Sequence, residues 1–138
     1  MKFYGRYEHS IDPKGRVILP AKFRAEFPHG GYLTQYHQGC LALWTPPEFE
    51  TQSAALEAAQ DQGSAERNLA RVFASGTQEV EVDRQGRVPI AAPLRAFAQL
   101  EAESAVLVMG AINRIELWAP HRWAEKLAPT EEALIEAS

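Results

Sequence analysis

Asp12, Gly15 and Arg16 return with the same spacing as Asp83, Gly86 and Arg87, in the phrases "DPKGRV" and "DRQGRV" of a 138-residue chain. An Asp at the head of such a phrase can hold a turn through backbone N–H groups and pin the Arg that follows. A guanidinium at the tip of a hairpin is then presented, with little freedom left to lose, to an anionic partner. Lys14 lies inside the first phrase and Arg84 inside the second, so each turn carries two cations. The net charge of the chain is −4, yet residues 1–24 hold Lys2, Arg6, Lys14, Arg16, Lys22 and Arg24 against only Glu8 and Asp12. That stretch is therefore +4 and the remaining 114 residues are −8. A polyanion responds to the local field rather than to the sum, so the first phrase sits where such a partner would be drawn.

Other chemistry is thinly represented. Cys40 is the only cysteine, which excludes an intrachain disulfide and implies no oxidising compartment. His37 and Cys40 are three apart, but two ligands without a second pair do not make a zinc site, and a buried thiol beside a surface His is the better reading. There is no Gly-x-Ser-x-Gly elbow and no phosphate-cradling glycine loop, so no catalytic residue, metal or cofactor is assigned. The longest apolar run, Ala105 to Ile112 around Gly110, is far short of a membrane span, and "MKFYGRYEHS" lacks the apolar core of a signal peptide. These features point to a cytoplasmic protein with neither a membrane nor a small-molecule substrate as partner.

The elements around the phrases follow from a wider duplication. "IDPKGRVILPAKFR" (Ile11 to Arg24) lies over "VDRQGRVPIAAPLR" (Val82 to Arg95), and "LALWTPPEF" (Leu41 to Phe49) over "IELWAPHRW" (Ile115 to Trp123). Two blocks matched in the same order mark an internal repeat. Each phrase is flanked by strand-like stretches, "YEHSI" and "VILP" in the first copy and "QEVEV" in the second. Gly15 and Gly86 fall where a turn needs positive φ. A short helix follows each, near 21–27 and 93–102, then a hairpin turning near Gln38-Gly39 or Ile112-Asn113, then a helix entered through Pro46 or Pro120. Thr45 and Glu48 form a capping box. The Ala- and Glu-rich stretch between the copies reads as a helical hairpin with a break at Gly63-Ser64 and a stop at Gly76. Leu69, Val72 and Phe73 would pack from it onto the sheet. Pro89 stands where the first copy has Ile18, so an edge or bulge, and hence irregularity, is expected in the strand after Arg87.

Units this small cannot bury a core alone. The economical solution is an α+β fold in which the two copies interleave into one pseudo-symmetric β-barrel. Lys14, Arg16, Arg84 and Arg87 would then share one face. The divisions are 5–50 for the first repeat, 51–76 for the helical linker, 77–126 for the second repeat and 127–138 for a C-terminal tail. Trp44, Trp118, Phe49 and Trp123 are read as core or subunit contacts. Arg24 and Arg95, matched between copies, are read as structural, salt-bridged positions.

At these residues the chain resembles a known family. The Asp-x-x-Gly-Arg hairpins look like the swapped-hairpin DNA-binding units of the SpoVT/AbrB type. Their tandem arrangement, with "FYGRYEHSIDPKGRVILPAKFR", "ARVFASG", "EVEVDRQGRVPI" and "GAINRIELWAPHRW", resembles the MraZ family of bacterial transcriptional regulators. The resemblance implies a swapped-hairpin barrel. It also implies a repressor of the division and cell-wall gene cluster that assembles into a ring-like homo-oligomer. That repressor would bind double-stranded DNA at short promoter repeats, placing the chain at the nucleoid. By position it selects Asp12 and Arg16 with Asp83 and Arg87, joined by Lys14, Arg84 and Arg6, as the DNA face. Two other readings stay open: an antitoxin-type AbrB-like DNA binder, and a structural ring-forming oligomer without a DNA role.

Overall fold

The computed structural model describes residues 2–136. Its centre is a six-stranded antiparallel sheet in which strands of the two copies interleave. The strands are β1 (Arg6–Ser10), β3 (Gly31–Gln35), β4 (Leu41–Trp44), β5 (Gln78–Val80), β7 (Ala105–Gly110) and β8 (Ile115–Trp118), in the order β1-β7-β8-β4-β3-β5. β1 of the first copy pairs with β7 of the second (His9 opposite Val106), and β5 of the second with β3 of the first (Val80 opposite Gly31). β4 and β8, the matched "LALW" and "IELW", meet in the middle with Ala42 opposite Glu116. All eight of their residues are buried, because both faces of the sheet are covered.

A separate two-stranded ribbon, β2 (Arg16–Ile18) with β6 (Arg87–Pro89), covers one face. Its register is self-matching: Val17 lies opposite Val88, Arg16 opposite Pro89 and Ile18 opposite Arg87. The pseudo-twofold axis therefore passes between Val17 and Val88 on the ribbon and between Ala42 and Glu116 on the sheet. Val17 and Val88 point inward and are fully buried, and the core gathers between ribbon and sheet around Phe23, Phe27, Leu33, Leu43, Val108 and Leu117. Two short helices close this layer, α1 (Ala21–Arg24) and α4 (Ala92–Ala98), both shorter than the sequence predicts.

The opposite face of the sheet is covered differently by each copy. α2 (Pro46–Ala59) and α3 (Ser64–Ser75) fold back on each other over β3 and β4, with Phe49, Leu56 and Phe73 packed on Ala42 and Trp44. α5 (Pro120–Glu136) places Trp123 and Leu127 against Leu107, Met109 and Trp118.

Four expectations change. The hydrogen-bonded strands do not close into a barrel: the ribbon bonds within itself, and the sheet stays open with β1 and β5 at its edges. The helix entered at Pro46 and the first helix of the connecting stretch are one continuous α2. Of the three apolar residues assigned to the sheet from α3, only Phe73 is buried; Leu69 and Val72 remain 43% and 48% exposed, because they line an open groove with Tyr36, Leu56 and Phe97. Finally, β6 is regular despite Pro89. Bonds from Leu19 N–H to Gly86 O (2.7 Å) and from Ile90 N–H to Gly15 O (3.0 Å) mark alternate pairs as the hydrogen-bonded ones. Pro89 and Arg16 fall between them, at a position whose N–H points away from the partner strand, so the missing donor costs no ladder bond.

Candidate nucleic-acid interface

Each repeated phrase folds into a turn organised by its aspartate. Gly15 N–H donates to Asp12 O at 2.9 Å, and Gly86 N–H to Asp83 O at 2.9 Å, closing the four-residue turns. Gly15 and Gly86 take φ of +80° and +82°, the left-handed region that other residues enter only with strain. In the first turn Asp12 Oδ1 accepts from the N–H groups of Lys14 (2.9 Å) and Arg16 (2.9 Å), while Oδ2 accepts from Arg16 Nε at 2.8 Å. In the second, Asp83 Oδ1 accepts from Gln85 N–H (2.9 Å) and Arg87 N–H (2.8 Å), and Oδ2 from Arg87 Nε at 2.7 Å. These bonds hold both carboxyls below the usual aspartate range. The Arg16 or Arg87 backbone N–H contributes most, and the same residue's guanidinium adds to it.

Nε is the guanidinium donor that bonds each carboxylate, so the terminal nitrogens of Arg16 and Arg87 keep N–H groups for a partner. Both arginines lie on the outer face of the ribbon with Ile18 and Pro89, since the valines between them point inward. Arg16 and Arg87 are diagonal neighbours there, with Cα atoms roughly 7–8 Å apart by the register. The antiparallel ribbon sets the two turns at opposite ends, and the exposed Lys14 and Arg84 extend the cationic strip outward from each. The structure thus brings Asp12, Lys14, Arg16, Asp83, Arg84 and Arg87 onto one ribbon with Gly15 and Gly86. It does not bring Arg6 there. Arg6 begins β1, at the far end of that strand from the first turn; its guanidinium lies 4.4 Å from the centre of the Trp123 ring and 3.4 Å from Glu131 on α5.

Arg24 and Arg95 are not salt-bridged among the described residues; each lies against the turn of the other copy. A Cβ built on Gly15 would come within 2.8 Å of Arg95 Nε, and one on Gly86 within 2.7 Å of Arg24 Nε. Arg95 Nε also donates to Ile90 O at 3.0 Å, whereas Arg24 Nε is buried without a partner among the described residues. Their identity at matched repeat positions was the available signal, but nothing in the sequence told that each would reach across the axis.

The axis residues on the sheet are unequal. Glu116, 7% exposed, accepts from Arg114 Nε at 2.9 Å and from Trp118 Nε1 at 2.8 Å, while its counterpart position holds Ala42 and Trp44 Nε1 donates instead to Thr34 Oγ1 at 3.0 Å. Cys40 is fully buried nearby, and burial raises its thiol pKa far above the usual value. A buried thiol so raised is a poor nucleophile, and this cluster satisfies its own polar groups. Among the described residues no group of three or more His, Cys, Asp and Glu could hold a metal ion, and no helix is long and apolar enough to cross a membrane.

Comparison with known proteins agrees with the repeat. The family model described as "MraZ protein, putative antitoxin-like" matches residues 2–72 and again 73–138. A Nocardioides protein named transcriptional regulator MraZ is 40% identical over 136 residues, covering 99% of this chain and 93% of its own length. Proteins of the same name from Halothermothrix orenii and Micrococcus luteus are 38% and 39% identical, covering 95% and 97% of this chain and 90% and 92% of theirs. With both halves matched and relatives similar along nearly the whole length, this chain belongs to the MraZ family.

Proposed function

We propose that this protein is a sequence-specific DNA-binding transcriptional regulator, a repressor of its own division and cell-wall operon, whose DNA face is the β2–β6 ribbon with its two end turns. The observation that carries the reading is the pair of aspartate-pinned arginines, Arg16 and Arg87, set diagonally on one exposed surface. The curated relatives are named as transcriptional regulators, which supports the class of activity.

In this reading Arg16 and Arg87 supply the base or phosphate contacts through their terminal N–H groups, the commonest specific partner being O6 and N7 of guanine. Lys14 and Arg84 neutralise flanking phosphates and make binding steeply salt-dependent. Asp12 and Asp83 repel phosphate and serve by fixing the turns and the arginine rotamers before DNA arrives, which lowers the entropy lost on binding. Arg6 is left out of the DNA face, its guanidinium being held by Trp123 and Glu131. Residues 5–50 and 77–126 act as the two DNA-binding units, 51–76 as the linker and 127–138 as the tail. Double-stranded promoter repeats are met by a ring-like homo-oligomer at the nucleoid. Repeated faces on repeated boxes raise avidity without any new contact, and the acidic remainder of each chain can turn outward.

The test is fluorescence anisotropy on the duplex upstream of the protein's own gene, with a shuffled duplex of equal composition and salt varied for both. Binding to the native duplex only is expected. Arg16→Ala and Arg87→Ala should each cost roughly 1–3 kcal/mol if their contacts are to bases. Equal binding of both duplexes, or full binding by the doubly substituted chain with assembly intact, would leave the turns as parts of a structural oligomer.

A further inference from the structure

We infer that Arg24 and Arg95 are positioning residues that act in trans across the pseudo-twofold: Arg24 holds the second turn and Arg95 the first. The inference deepens the DNA-face reading and rests on it for its effect on binding. The topology explains the crossing. In the antiparallel ribbon, the end of β2 lies beside the start of β6, because Leu19 N–H donates to Gly86 O. The helix that follows β2 therefore begins next to the second turn, and Arg24 at its end lays its guanidinium on the face of Gly86. The second copy repeats this across the pseudo-twofold: Ile90 N–H donates to Gly15 O, and Arg95 on α4 covers Gly15.

Glycine is needed at both turns for φ, and its missing side chain is what lets a planar guanidinium approach this closely. The covered glycine immediately precedes the arginine proposed to touch DNA. Each turn is consequently fixed from two sides, by its own Asp and by the other copy's Arg. Removing the covering Arg leaves a space beneath a glycine that has unusual freedom of its own. The turn then samples more conformations, and the adjoining Arg16 or Arg87 is no longer presented in one orientation. A guanidinium at this depth also adds positive charge below the ribbon, and that contribution must be separated from the positioning one.

Two measurements do so. Amide exchange by NMR on the DNA-free protein reads the turns alone. Arg24→Ala should speed exchange at Gly86 and Arg87 by about tenfold while Gly15 and Arg16 change little, and Arg95→Ala should do the reverse, as local openings are independent of the global one. Arg24→Lys keeps the charge and loses the flat fork, so it should loosen the second turn nearly as much; full protection in that variant would overturn the positioning role in favour of charge. Equal loosening of both turns, loosening in the same copy, or no loosening would also overturn it.

Double-substitution cycles on DNA then test the consequence. In the Arg24→Ala background, Arg87→Ala should weaken binding much less than it does alone, while Arg16→Ala keeps its full effect. Additive losses from Arg24→Ala and Arg87→Ala, with a salt slope reduced by about one, would identify Arg24 as a direct phosphate contact instead. If Arg16→Ala and Arg87→Ala do not weaken binding at all, the DNA-face reading fails; the exchange measurement still decides whether the arginines hold the turns.

Discussion

The two turns share one skeleton and differ in what hangs on it. Asp12 and Asp83 make the same three contacts with the same atoms, although the residues between Asp and Gly are Pro13-Lys14 in one and Arg84-Gln85 in the other. The comparison shows which positions the geometry requires. Asp, Gly and Arg are needed for hydrogen bonding, positive φ and presentation, while the two central positions need only avoid disturbing the turn. Each copy has used that freedom to place one further cation, at the second central position in the first turn and at the first in the second. The halves diverge more on the far side of the sheet, where the first copy spends two helices and the second a single long one.

The strongest way to break the symmetry is at its axis. Val17 and Val88 face each other with no exposure, so Val17→Asp or Val88→Asp buries a carboxylate in the shared core with no partner. Each should cost upwards of about 4 kcal/mol, enough to abolish a cooperative melt in circular dichroism for a domain of ordinary stability. The two substitutions should be equally damaging. One tolerated and one lethal would mean that the copies fold as separate units.

The turn glycines sharpen the comparison at a smaller scale. Gly15→Ala and Gly86→Ala force a Cβ into the left-handed region, costing about 1–2 kcal/mol each by denaturant titration. A further cost comes from displacing Arg95 or Arg24, modest because the ends of long side chains can move. Gly86→Ala should therefore be partly relieved in an Arg24→Ala background and unaffected by Arg95→Ala. Relief by the wrong arginine would refute the crossed arrangement.

The geometry of the two turns was more legible in the sequence than the fold. Turn chemistry is local: Asp, Gly and Arg at fixed spacing dictate hydrogen bonds within five residues, and the repeat doubled the signal. The strand pairing is non-local, and composition could not say that β1 would pair with β7 and leave an open sheet beside a ribbon. Pro89 misled for a related reason, since whether a strand N–H faces a partner depends on register. Leu69 and Val72 have the periodicity of a packed face, yet only Phe73 is buried and the other two border an open groove. Arg24 and Arg95 were visible as repeated residues, but their contacts lie across the axis, where a reading along one copy cannot see. Arg6 belonged to the basic N-terminal stretch by count, and only the structure put it against α5.

The helices that close the copies differ in their caps. Thr45 Oγ1 accepts from Glu48 N–H at 3.4 Å ahead of α2, whereas α5 follows Ala119, which has no side-chain acceptor. Thr45→Ala should cost about 0.5–1 kcal/mol, the lower half of the usual range because the bond is long. Ala119→Ser should recover a few tenths for the second copy. A loss from Ala119→Ser would show that the buried site around Ala119 has no room for a hydroxyl, and the asymmetry would then be steric rather than accidental.

The smallest effect expected is on pH dependence, and it is the most direct test that the turns are equivalent. Both aspartates are held charged by N–H donors, so their pKa values in the folded chain lie below the unfolded value of about 3.9. A carboxyl lowered on folding contributes stability in full above its unfolded pKa, and that contribution disappears as pH falls through the lowered, folded one. Carboxyl carbon NMR should therefore show Asp12 and Asp83 titrating together, below the unfolded aspartate value of about 3.9. Loss of protection at the Arg16 and Arg87 amides should follow those two titrations rather than global unfolding. Because both carboxylates face solvent, the change in overall stability should be slight even when the local one is complete. Separation of the two curves would show that Pro13-Lys14 and Arg84-Gln85 do alter the skeleton they decorate, and that one turn is better prepared than the other to present its arginine.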